Sequence, residues 1–190
     1  MKRSVSSLLL AAIAVLVLYP QCAQAQVAAS DQRESCRKFV QEFYDWYVSI
    51  ESRKPPPHQP SAQEIVLGRR AEFLSPVLLA ALKEDEAASA KNPDDIVGLD
   101  FDPYLNAQDI AGAYTAGQPV LQGNTYRVPI YQVRGKIQAS KPLLFAELSL
   151  SGVHWQFVNF HYDVDGKPYD LLSMLKSLRE EREKDPTVHK

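Results

Sequence analysis

The chain has 190 residues, with 21 Lys+Arg against 23 Asp+Glu and a formal net charge of −2. No basic excess exists to neutralise phosphates, which argues against nucleic acid as the main partner. The two cysteines are too few for a disulfide framework, and the length suits one domain.

The first 25 residues read as an export signal. Lys2 and Arg3 give a positive start, Leu8 to Tyr19 is an unbroken apolar run of 12 residues, and Pro20 ends it. Ala23-Gln24-Ala25 matches a small-x-small cleavage pattern. A spanning helix needs about 20 apolar residues, so cleavage after Ala25 and release to a periplasm or the outside are expected, with no membrane insertion after cleavage. The residues before Cys22 are not the small aliphatic set of a lipoprotein signal. Without Lys2 and Arg3 the 21 basic residues become 19 against 23 acidic, a net charge of −4. A chain of this size buries roughly 70% of its unfolded surface without staples. Cys36 then has no thiol partner and falls at helical spacing with Phe39, Val40 and Phe43, the position of a core thiol.

Helices come first. Cys36, Phe39, Val40, Phe43, Tyr47 and Ile50 form one apolar stripe, which predicts a helix from about Ser30 to Glu51. Ser30 or Asp31 can cap it, with Glu34 as reciprocal partner, and the prolines at 55 to 57 end it. Ser61-Ala62-Gln63-Glu64 is a capping box before a second helix. Ser75-Pro76 opens a third, with Leu78, Leu79 and Leu82 on its buried side, fading near Lys91-Asn92-Pro93.

Beyond the acidic, irregular stretch from Asp94 to Asp109 the period becomes alternating. Strands are predicted near Gly112–Leu121, Asn124–Arg134, Leu143–Leu150 and Val153–Tyr162, with turns at Gln122-Gly123-Asn124 and Ser151-Gly152. Pro129 cannot donate to a ladder, so the second strand is expected to be bulged or at an edge there. In HWQFVNFHY, Trp155 and Phe157 share one parity while Val158, Phe160 and Tyr162 share the other. A strand keeps one parity for its buried face, so a bulge near Val158 is expected, and it would turn His161 to the other face. A short helix follows Asp170, and the charged residues 179–190 are expected to fray.

Helices followed by a meander of long curved strands resemble the nuclear transport factor 2-like superfamily, in one of its uncharacterised secreted bacterial branches. The residues that carry the resemblance are FVQEFYDWY at 39–47, FLSPVLLAAL at 73–82, LDFDPYLNAQD at 99–109, and WQFVNFHY with the trailing DLLSMLKSL. The resemblance implies a single α+β domain over 26–178, a cone in which N-terminal helices pack into a curved antiparallel β-sheet and leave a pocket at the open end. Dimerisation through the sheet is common in the superfamily, so a homodimer stands among the implied partners. Members include enzymes, carriers and interaction proteins, and fold alone does not choose between them.

Enzymes of the superfamily set a carboxylate base and a hydrogen-bond donor in an apolar cavity. Asp102 and Asp109 are the weak candidates for the base, and Tyr131 and His161 for the donor. Glu147 lies on the parity opposite Leu144, Ala146 and Leu148, and faces solvent if those face the cavity. Asp100-x-Asp102 fails the calcium-loop pattern, with Leu105 where glycine is needed. These side chains are expected to cap turns. His154 and His161 are too far apart on one strand for zinc, and no metal or cofactor is implied. No Gly-x-Ser-x-Gly or phosphate-binding glycine loop occurs.

The reading that follows is a periplasmic or secreted, non-catalytic binding domain for a small apolar molecule or an envelope protein. Tyr44, Tyr47, Tyr104, Tyr131 and Tyr162, with Trp46, would line or rim its pocket. The alternatives are a small isomerase- or hydrolase-type enzyme and an inhibitor or immunity-type protein of the envelope that uses the outer sheet face or the acidic block.

Overall fold

The computed structural model describes residues 30–53, 59–91, 97–108, 112–164 and 166–184. The expected signal segment and cleavage site, with Asp109, lie outside the described residues. Among the described residues, four helices and a seven-stranded antiparallel sheet make an α+β fold, with the helices packed against the sheet.

The helices begin where side chains can satisfy their free N–H groups. Helix α1 occupies 30–51 and buries Cys36, Val40, Phe43, Tyr44 and Tyr47 on one stripe. Glu34 turns to Arg37 at 2.6 Å rather than back to a cap, because the helix already includes Ser30 and Asp31. Helix α2, Ala62–Arg69, opens on the reciprocal Ser61–Glu64 box. A 3-10 turn, Ala71–Phe73, leads to α3, Pro76–Lys91, where Ser75 Oγ accepts from Leu78 N–H at 3.3 Å.

The strands are β1 Ala113–Ala116, β2 Val120–Gln122, β3 Thr125–Arg134, β4 Ile137–Gln138, β5 Leu144–Ser151, β6 His154–Val164 and β7 Lys167–Asp170. The main order is β1-β3-β5-β6-β7, with β2 and β4 also paired to β3. Pro129 sits inside β3, which is neither bulged nor at an edge. Its missing N–H points to the side where the neighbouring strand is broken between β1 and β2, and its carbonyl accepts from Gly117 at 2.8 Å. The donor is lost where no ladder needs it. Gly117 also has no room for a Cβ, which would lie 2.8 Å from both the Pro129 and Tyr131 rings.

The bulge falls at Val158. Glu147 pairs with Asn159 and Leu148 with Phe157, so Val158 has no opposite residue. Trp155, Phe157, Phe160 and Tyr162 are consequently all buried, and His161 points to the opposite, outer face. Leu74 bridges to Phe157, and Ser75 N–H donates to the Phe157 carbonyl, closing this edge of β6.

Two short strands depart from the sequence reading. β4 extends the hairpin after Arg134, and β7 intervenes between the 163–166 region and the last helix; Asp163 pairs with Pro168 and belongs to β6. Helix α4, Leu171–Lys184, continues past residue 179, where fraying was expected. Arg182 holds it, donating to Asp85 Oδ1 at 2.8 Å and to the Val97 carbonyl at 2.9 Å. Charge stopped this stretch from reading as packed, but the charge is itself the contact.

Candidate functional site

Among the described residues, side chains of the chain itself pack against one another on the concave side of the sheet. Phe43 of α1 lies 4.8 Å from the Phe157 ring and 5.5 Å from the Tyr104 ring, and Tyr44 stacks on Tyr114 at 5.8 Å. Tyr44, Tyr47 and Tyr104 are at most 1% exposed and Tyr162 is 2% exposed, in one continuous core. These four of the five expected pocket tyrosines therefore come together, packed on each other and on neighbouring side chains. Trp46 is part-buried beside them, against Phe43, Tyr47 and Phe73.

Segment 97–108 closes the same end, and Asp102 organises it. Its Oδ1 accepts from the N–H groups of Tyr104 and Leu105 at 2.8 and 3.1 Å, the turn-capping role expected for Asp. Its Oδ2 accepts from Tyr47 Oη at 2.6 Å. Tyr44 Oη donates to the Tyr104 carbonyl and Tyr162 Oη to the Pro103 carbonyl, both at 2.8 Å. Burial pushes the Asp102 carboxyl up to about 6, against the hydrogen bonds from Tyr47, Tyr104 and Leu105 that favour its charged form. Tyr104 Oη is buried with no hydrogen-bond partner among the described residues.

Tyr131 and His161 stand elsewhere. Both belong to the outer face of the sheet, across from Asp102. Asp102 and the expected donors Tyr131 and His161 are thus on opposite sides of the β-layer, so that pairing is not assembled; the other expected base, Asp109, lies outside the described residues. Among the described residues no group of three or more His, Cys, Asp or Glu side chains could hold a metal.

The outer face has its own cluster. Arg127, Glu147 and His161 meet across β3, β5 and β6 because Arg127 is directly opposite Glu147 and the bulge brings His161 onto the same side. His161 Nε2 lies 2.6 Å from Glu147 Oε2, so this nitrogen carries the proton and donates. Thr125 Oγ1 donates to Glu147 Oε1 at 2.7 Å, and Arg127 Nη2 lies 3.1 Å from His161 Nε2. Burial would raise the Glu147 carboxyl, but hydrogen bonds from His161 and Thr125, with the charges of His161 and Arg127, outweigh it and hold the group below its ordinary range. Pro129, Tyr131 and Phe145 continue the face, each part-exposed. Arg127 carried no sequence signal of its own; only register places it beside Glu147.

A depression of about 170 Å³ lies between α3 and α4, lined in part by Glu84, Lys176, Arg179 and Arg182, and none of the expected site residues borders it.

No protein-family model and no curated protein matches the chain. Among solved structures, a chain of the type VI native effector–immunity complex Tae3–Tai3 from Ralstonia pickettii is similar, at 16% identity and a TM-score of 0.44. The match covers 70% of this chain and 97% of that one.

Proposed function

We propose that this is a non-catalytic interaction domain, exported to the periplasm or beyond, which recognises a protein partner through the outer face of its sheet. The observation that carries the reading is a contrast between the two faces. On β3 and β5 the alternating side chains Tyr126, Val128, Ile130, Leu144, Ala146 and Leu148 are buried in the core, while the residues between them stay part-exposed. Those alternate residues include Arg127, Pro129, Tyr131, Phe145 and Glu147, with His161 beside them. Arg and aromatic side chains, part-buried before any partner arrives, lose little further freedom on docking and carry much of the energy of protein interfaces. The superfamily resemblance fits this reading, since its members include purely interacting proteins.

The test is site-specific photo-crosslinking in the cell of origin. A photoreactive residue at Tyr131 should give a discrete protein adduct, and Arg127→Ser should weaken it. The same residue at Val77, which is 68% exposed on α3, should give none. Equal adducts at both positions, or none at Tyr131, count against the outer face.

A further inference from the structure

Within the outer-face cluster, Arg127 is held in place without an acceptor. Glu147, opposite it on β5, commits both carboxylate oxygens elsewhere. Oε1 accepts from Thr125 Oγ1 at 2.7 Å and Oε2 from His161 Nε2 at 2.6 Å. Arg127 reaches across β5 to the His161 ring on β6, where its Nη2 lies 3.4 Å from Nδ1 and 3.1 Å from Nε2. A nitrogen in the ring plane cannot stand so near both without overlapping the carbon between them. Nη2 therefore rests over the imidazole face, as arginine commonly does on flat rings.

Stacking fixes the guanidinium but gives it no lone pair. The Nδ1 pair lies in the ring plane, and Nε2 carries the proton donated to Glu147. Among the described residues Arg127 Nε is buried with no hydrogen-bond partner, and the short contact of Glu147 is with His161 rather than Arg127. A charged donor left unpaired at a part-desolvated place is stabilised by an anion that arrives from outside. Arg127 is the only Lys or Arg in residues 112–133 and 144–166, so those strands offer no second cation for a phosphate dianion. One guanidinium suits a carboxylate, which it meets in a matching fork. Pro129 and Phe145, paired and part-exposed, supply an apolar flank with Tyr131, the setting of an acidic side chain on a protein surface.

We propose that Arg127 receives an Asp or Glu carboxylate of the protein partner, while His161, itself fixed by Glu147, holds the guanidinium in position. The proposal rests on the outer-face reading above and adds the partner's chemistry to it. Arginine is specific to the role. Lysine would keep the charge and lose both the stack and the fork.

The test has two arms, both on protein from its own cells. In the first, sodium acetate is titrated into isotope-labelled protein against sodium chloride at equal ionic strength, and NMR follows the Arg127 Nε–H and the His161 ring. Acetate should give saturable shifts severalfold larger than chloride, and Arg127→Lys should remove those at His161. In the second, the photo-crosslinked adduct at Tyr131 is mapped to a peptide of the partner. That peptide should carry Asp or Glu beside the crosslinked position, and changing the acid to its amide should lower the adduct severalfold. Acetate shifts no larger than those of chloride overturn the proposal, and a Tyr131 adduct then leaves the outer-face reading standing. Saturable acetate shifts with no adduct at Tyr131 defeat that reading instead, and with it the partner as the carboxylate's source, which assigns the site to a free acid. An adduct peptide with no Asp or Glu near the crosslink also overturns the proposal.

Discussion

Asp102 shows how one side chain can look catalytic and serve structure. It has a raised pKa and a tyrosine donor at 2.6 Å, two marks of an active-site acid. Its remaining hydrogen bonds come from the backbone N–H groups of its own turn, at Tyr104 and Leu105. Its titration still has a consequence. The ordinary value is 3.8 and the folded value about 6. Because folding raises it, the group's contribution is fully present below about pH 3.8 and is lost as pH rises through about 6. Asp102→Asn keeps an acceptor for the two N–H groups and cannot ionise. Relative to that variant, the wild type should lose on the order of 2–3 kcal/mol between pH 4 and 7. Urea denaturation of both proteins across that range measures it, and parallel curves would show that Asp102 is not buried as described.

Elements were legible in proportion to how locally they are specified. The Ser61–Glu64 box and Ser75-Pro76 announce α2 and α3 because capping is a short-range matter. The bulge at Val158 was legible too, since a change of parity has few structural solutions. β4 and β7 were not, being short strands of two and four residues with exposed or part-exposed side chains. The end of α4 was missed for another reason: Arg182 makes its pair with Asp85, 97 residues away, and pattern cannot report so distant a partner. That pair also fastens segment 97–108, because Asp85 Oδ2 accepts from Leu99 N–H at 2.9 Å. Gly98 belongs to the same clamp, since a Cβ there would meet Asp85 Oδ2 at 2.7 Å. Arg182→Met strands a buried carboxylate and should cost about 3–5 kcal/mol. The double variant with Asp85→Leu should recover part of that loss. A thermal-unfolding cycle checks the pair, and a single-variant loss under about 1 kcal/mol would mean the contact is solvated and weak.

At the scale of the whole molecule, a helix fills the sheet that curves around it. The stripe from Cys36 to Tyr47 and the inward residues of β3, β5 and β6 make one core, and the Asp102 turn seals its end. The α+β class and the strand parity were readable because both follow from periodicity. What the tyrosines do was not readable, since Tyr44, Tyr47, Tyr104 and Tyr162 have the same sequence pattern whether they line a pocket or replace it. With helix α1 packed inside the curved sheet, the proposed recognition falls to the outer Arg127–Glu147–His161 face. The most direct measurement of that claim is an NMR titration of the protein with a small apolar probe such as benzene, following the rings of Phe43, Tyr44, Tyr47, Tyr104 and Phe157. A filled interior gives no saturable shifts at these residues up to the probe's solubility. Saturable shifts clustered on those rings would reveal an open pocket and contradict the account.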